Sequence, residues 1–268
     1  MSGAAPAALW CGQEAGSAVV AVAVHAGHGL RDEIAAAMAL DEERRFREED
    51  PGTAEWAARF PSRLVAARSR FEFDLNRPRD RAVYRRPEDC WDLNVWRRPP
   101  AGGVVERSLA AYDAFYSVLA GMLDRAQQAF GRFVVYDLHS YNHRRAGPTG
   151  PPADRADHPD VNVGTGSMDR ARWAPLVDRF VAELGSVEVP YGGGHLDVRE
   201  NVCFFGRQLA AWVHERYPET GCALAIEVKK FFMDEHRGEI NGPLSTAVGE
   251  ALAATVPGMV DELDRVSR

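Results

Sequence analysis

The sequence predicts a single-domain α/β protein in which a mostly parallel or mixed central sheet carries helices on both faces. Three observations predict it. Val-rich apolar runs at 18–24, 134–139 and 223–228 read as buried strands of the parallel-sheet kind. Segments of helical periodicity alternate with them, which is the pattern of helices packed on a sheet. No internal linker separates two cores, so residues 1–268 are expected to form one domain. The chain has 268 residues, 46% apolar and 26% charged, which is a soluble globular composition.

Each element is justified in turn. The run 18–24, AVVAVAV, leads into His25-Ala26-Gly27-His28-Gly29, and 31–40 follows as a helix. The charged stretch DEERRFREEDPGT precedes a short helix over 53–60. Residues 62–78 hold a strand expected to end on Asp74-Leu75-Asn76-Arg77-Pro78. Residues 79–103, rich in Arg, Pro, Trp and Gly, read as a long loop, a feature uncommon without a purpose. Leu109, Tyr112, Phe115, Leu119 and Leu123 make one stripe of a long helix over 105–130. The strand 134–139 follows, then a loop over 144–160, a short strand over 161–166 and a helix over 169–184. Residues 187–191 read as a strand broken by Gly192-Gly193-Gly194. A helix over 209–216, the strand 223–228 ending on Glu227, and a C-terminal helix over 244–266 complete the chain.

Composition excludes some functions. A formal charge of −7 argues against nucleic acid or an anionic membrane as partner, because phosphate binding needs clustered cations. No segment approaches 18 uninterrupted apolar residues. The N-terminal MSGAAPAALWCGQEAG has no basic region followed by an apolar one. The four cysteines form no C-x-x-C pair, and the plain expectation is four buried thiols in a cytoplasmic protein.

Chemistry is expected where strands stop. Four polar ends, His25 with His28, Asp74-Asn76-Arg77, Asp137 with His139, and Glu227, converge on one edge if the sheet is parallel, and ligands bind at such edges. One strand-end histidine is more often a hydrogen-bonded core residue. Four ends carrying imidazoles and carboxylates together supply zinc-ligand types, and a catalytic zinc takes three protein ligands plus water. An Asn-Arg pair such as Asn76-Arg77 can grip a carboxylate, with the guanidinium bidentate. The triple glycine before His195 is either a flexible turn or a backbone that approaches a ligand closely, with Arg199 reaching a carboxylate. It is neither a P-loop nor a dinucleotide fingerprint. No G-x-S-x-G elbow and no Cys-His pairing supports a covalent nucleophile.

The chain resembles the N-formylglutamate amidohydrolases. VHAGHG (24–29), EEDP (48–51), SRFEFDLNRP (69–78), DLHSY (137–141), VNVGTG (161–166), GGGHLDVRENV (192–202) and IEVKKFFMDE (226–235) occur in order and span most of the chain. DLNRP and the D-x-H-S strand end are the most specific of these. The resemblance implies a phosphorylase/hydrolase-like fold as in zinc carboxypeptidases. It also implies a zinc-dependent hydrolase that cleaves the amide of a small N-formyl or N-acyl amino acid bearing a carboxylate. By the same resemblance His25, His139 and Asp50 are zinc ligands. Asn76, Arg77, Arg199 and Gly193 contact substrate, and Glu227 is the general base. Zinc carboxypeptidases place a Glu three residues after their first ligand His, where this chain has His28, so Glu48, Glu49 and His28 stand as alternative third ligands. The alternative readings are a zinc exopeptidase or amidase with another acyl group, and a non-catalytic metal-binding relative. The expected partner is a small molecule, and an oligomer is compatible with the sequence. Ion pairing of Glu227 with Lys229 or Lys230 is the competing account of that carboxylate, with Lys229 expected to snorkel outward.

Overall fold

The structure, a computed structural model, describes residues 9–266. The first eight residues, part of the stretch in which no leader is expected, lie outside them. Seven strands form one mixed sheet: β1 (Trp10–Gln13), β2 (Val19–Ala23), β3 (Ser62–Ala66), β4 (Phe133–Tyr141), β5 (Val161–Gly164), β6 (Val198–Glu200) and β7 (Gly221–Lys229), in the order β1-β3-β2-β4-β7-β5-β6. The neighbours β3, β2, β4 and β7 run parallel. The flanks reverse, because β1 is antiparallel to β3 and β5 to β7.

The helices are α1 (Asp32–Ala37), α2 (Glu42–Glu48), α3 (Thr53–Ala57), α4 (Gly102–Phe130), α5 (Ala174–Ser186), α6 (Gln208–Arg216), α7 (Gly242–Ala254) and α8 (Val256–Val266). Strand alternation sorts them into two layers. Val20 and Val22 of β2 and Phe133 and Val135 of β4 pack with α4 and α6. Val19, Ala21, Val134, Tyr136 and Leu138 pack on the other face with Trp56 of α3 and with α5, α7 and α8. In α4, Tyr112, Phe115, Leu119 and Leu123 are buried, as the stripe requires, and Gly131 at φ 75° ends the helix.

Several expectations are corrected. β3 stops at Ala66, so Asp74, Asn76 and Arg77 lie on the turns that follow and not on a strand end. Residues 187–191 form no strand; Val187 terminates α5, and the edge is filled by Val198–Glu200. The charged stretch contains α2, capped by the Asp41 side chain. The C-terminal helix divides at Thr255, whose hydroxyl turns back to Leu252 O at 2.7 Å, and Pro257 begins the next helix where its missing N–H costs nothing. The loop 79–103 is packed through Ala82, Val83, Tyr84, Leu93, Val95 and Trp96. Cys90 and Cys222 are buried, but Cys11 is exposed and Cys203 only half-buried. Among the described residues no helix is long and apolar enough to cross a membrane.

His214 fixes α6 to the sheet. Its Nε2 accepts the Ala223 N–H of β7 at 2.9 Å, which leaves the proton on Nδ1, 2.9 Å from Ser167 Oγ. Burial pushes its pKa down to about 4 from an ordinary 6.5. The unfolded chain therefore binds the extra proton between those values, and stability present above pH 6.5 is lost as pH falls through 4. The loss expected from this group is roughly 3 kcal/mol. Denaturant titrations across that window should show a steeper fall for the wild type than for His214→Gln; parallel curves would refute the assignment.

Candidate metal centre and catalytic cavity

The site is assembled at the carboxyl edge of the parallel strands. β2 is wholly buried and delivers His25 just past its end, with His25 2% exposed. Gly27 lets this turn lie against the chain after β3: a Cβ there would sit 2.3 Å from the Ala67 carbonyl carbon and 2.5 Å from Arg68 N. The contact is sealed by Gly29 N–H to Ala67 O and Ser69 N–H to Gly29 O, at 3.2 and 2.9 Å. α2 brings Asp50 onto the same point, where its N–H donates to His25 O at 3.0 Å. β4 brings His139, also 2% exposed.

Asp50 Oδ2 stands 3.2 Å from His25 Nδ1 and 2.9 Å from His139 Nδ1. One ligand atom from each of the three residues lies within 4.8 Å of the others. The far nitrogens are backed by carboxylates. His25 Nε2 is 2.7 Å from Asp74 Oδ1, and His139 Nε2 is 2.9 Å from Asp137 Oδ1. With an ion bound and the protons held on the far nitrogens, both Nδ1 lone pairs would be free to ligate it, the carboxylate–histidine support found behind metal ligands. Both Asp137 oxygens are buried and lack a well-formed hydrogen bond. Three buried acids, Asp50, Asp74 and Asp137, and the half-buried Glu227 surround the two imidazoles, and Arg70 at 2.9 Å from Asp74 neutralises one. A divalent cation complements this donor set and its charge.

The electrostatics follow. Burial alone would raise the Asp50 carboxyl, but hydrogen bonds and charge from His139 and His25 hold it well below the carboxylate range. Burial likewise opposes a charged His139, and the neighbouring Asp137 and Glu227 reverse this and raise its pKa. Glu227 is raised, first by burial, then modulated by His139 and by the nearby acids.

The alternative ligands point elsewhere. Glu49 is turned to His28 Nδ1, 2.5 Å away, and accepts from Ser69 and Arg45. Glu48 lines the cavity but is held by Asn142 Nδ2 at 3.0 Å. Glu227 lies across from His139 in the β4–β7 register, so the pleat turns both to one face. Neither lysine pairs with it. Lys229 is buried and reaches Asp160 at 3.0 Å, contrary to the outward course expected. Lys230 donates to Arg47 O, Glu49 O and Asn142 Oδ1 at 2.6, 2.8 and 2.9 Å, tying the ends of α2, β4 and β7 together.

A cavity of about 270 Å³ opens over the trio and contains Asn76, Arg77 and Glu227 in its lining. Arg44, Arg145 and Arg207 are exposed around it. Arg199 and Gly193 are not brought to it. Arg199 donates to the main-chain carbonyls of Arg155 and Ala156 and sits 3.0 Å from Asp197, so its guanidinium secures the 144–160 loop. Gly192, Gly193 and Gly194 all take positive φ in a turn closed by Val189 N–H to Gly194 O. Sequence reading missed the supporting role of Lys230 and the part played by Asn162. The Oδ1 of Asn162 accepts from Val202 and Cys203 N–H at 2.9 and 2.8 Å and seats Phe204 at the cavity. No periodicity marks either residue. The signal open to a reader was only a polar side chain inside an apolar run.

A family model described as N-formylglutamate amidohydrolase matches residues 17–233. The structure is similar to that of an N-formylglutamate amidohydrolase from Ralstonia eutropha, at 19% identity and a TM-score of 0.72, covering 96% of this chain and 98% of that one. It is similar also to a gene product of Agrobacterium tumefaciens, at 17% identity and a TM-score of 0.63, covering 93% of each chain. These two are likenesses of fold. No curated protein matches the chain in sequence.

The geometry leads to a direct test. Metal analysis of the purified protein is expected to find about one divalent cation per chain, as a three-ligand open site holds. His139→Ala should remove it. A variant that keeps its full metal content would show that the cradle lies elsewhere.

Proposed function

The chain belongs to the N-formylglutamate amidohydrolase family, and we propose that it is a zinc-dependent amidohydrolase cleaving a small N-formyl or N-acyl amino acid that bears a carboxylate. Membership makes it a hydrolase of amide C–N bonds. The observation that carries the finer reading is the register placing Glu227 beside His139, with both lining the cavity that holds Asp50 and His25.

In this reading His25, Asp50 and His139 hold the ion. A zinc ion held there would supply Lewis acidity to the amide carbonyl and to a water. Glu227 accepts a proton from the attacking water on its carboxylate and returns it to the departing amine nitrogen, so a C–O bond forms as the C–N bond breaks. Its burial favours the protonated form once the proton is taken, which suits the second transfer. Arg77 grips the substrate carboxylate. Its nearest acidic partner, Asp74, is 3.9 Å away, so its fork is free for a bidentate contact. Asn76 is held at the centre of the site, with Nδ2 3.2 Å from His139 Nε2 and Oδ1 accepting from Leu209 N–H at 3.1 Å. Arg199 secures the 144–160 loop, which contributes Arg145 to the cavity lining. The same reading takes residues 1–268 as one domain, a small molecule as partner instead of nucleic acid or a membrane, and a cytoplasmic setting.

Glu227→Gln keeps the side chain's size and deletes its basicity. It is expected to fold and to retain zinc while kcat falls by about two to four orders of magnitude. Near-wild-type turnover would move the base elsewhere, with Glu48 the next carboxylate in the cavity to replace.

Arg77→Lys preserves charge and loses the fork. A rise in KM of about tenfold, with kcat much less affected, is expected across carboxylate-bearing substrates. Unchanged KM values would remove Arg77 from recognition.

A further inference from the structure

We propose that Trp91, with Leu93 and Phe204, forms an aromatic subsite at the cavity mouth that takes a planar apolar group of the substrate. The inference rests on the amidohydrolase reading above and names the substrate class more narrowly. Trp91 lines the cavity, yet 46% of its surface is exposed. Its backbone is at φ 49°, and that of Asp92 at φ 60°, a region that bulky side chains avoid. The strained turn is held in place: Asp92 N–H donates to Pro87 O at 2.9 Å, and Leu93 N–H to Cys90 O at 2.8 Å. Strain maintained in this way marks functional positions. The indole is braced from within by the Arg70 guanidinium, 4.8 Å from its ring, and by Tyr84 in an edge contact. Arg70 is itself committed to Asp74. Phe204 also lines the cavity, resting against Tyr141 at 5.2 Å. A one-carbon acyl group and a carboxylate need only the trio and the cations. Three apolar side chains in the cavity lining have no counterpart in such a substrate, whereas an aromatic ring would pack on them.

The ring belongs either to the amino acid or to the acyl group, and the two are separable. Zinc-loaded Glu227→Gln protein is titrated by calorimetry with N-formylalanine, N-formylphenylalanine and N-benzoylalanine, and wild-type hydrolysis of the same compounds is followed in parallel. One of the aromatic compounds should bind at least about tenfold tighter than N-formylalanine, as burial of a ring gives. Which one it is identifies the side of the amide served. In Glu227→Gln, Trp91→Gly protein, where glycine takes the left-handed backbone without strain, the ratio should fall close to one. Trp91→Phe should retain most of it. Equal affinities for all three compounds, or a ratio that survives Trp91→Gly, overturn the subsite. If the ratio collapses as expected but wild-type protein hydrolyses none of the compounds, the amidohydrolase reading falls and the subsite stands.

Discussion

A single buried oxygen, Asp50 Oδ2, faces two buried imidazoles, and the architecture around the cavity serves to keep that convergence in place. Unpaired buried charge is costly, so each partner must be answered in turn. Asp74 answers His25 and is itself held by Arg70, by the Tyr84 hydroxyl and by the Asn76 N–H at 2.8 Å. Asp137 stands behind His139. The result is a polar island between two apolar layers, reached by four chain segments that share few local contacts. Around Asp74 every partner is answered, whereas the Asp137 oxygens keep unused acceptor capacity beside His139.

Much of this was readable in the sequence, and the part that was not has physical reasons. His25, His139 and Glu227 stand out because each interrupts or follows a run of Val, Ala, Leu and Ile, and a polar residue there needs a partner. The two cores on either side of the sheet follow from the same runs, since a strand buried on both faces has no polar alternation to hide. Asp74-Asn76-Arg77 was legible as a group but not as geometry: FEFDL has strand composition, yet Ser69 and Asp74 fold it into turns stabilised by tertiary bonds. β1 left no trace because three of its four residues are exposed at an edge. Val187–Tyr191 has strand propensity and was overridden by the glycine turn beside it. Arg199 lies off the cavity because its guanidinium is engaged by main-chain carbonyls, an outcome that residue type cannot reveal.

The charge distribution follows a similar logic. A chain of net −7 gathers Arg44, Arg47, Arg70, Arg77, Arg145, Arg207 and Lys230 around one cavity. The acids placed there, Glu48, Asp50 and Glu227, are fewer. Such segregation focuses positive potential into a concave region and draws small anions inward while the remaining surface repels them. Several of these cations also brace the walls, as Arg47 does through Glu235 at 3.1 Å. Positive potential in the cavity and support of its walls are therefore carried by the same side chains.

The strand order has a consequence for how the molecule comes into being. β1, β3, β2 and β4 are contiguous in the sheet and all lie within the first 141 residues, together with α4 and with His25, Asp50 and His139. β7 joins their edge only after some 80 further residues, and the chain then doubles back to the pair β5–β6 already synthesised. During translation His25, Asp50 and His139 are thus present as a set well before Glu227 leaves the ribosome. The long loop closed by the β4–β7 pairing makes that step a slow one. A partly made chain therefore carries the complete candidate ligand set while the proposed base is still to come, so the two halves of the site are separated in time by the topology itself.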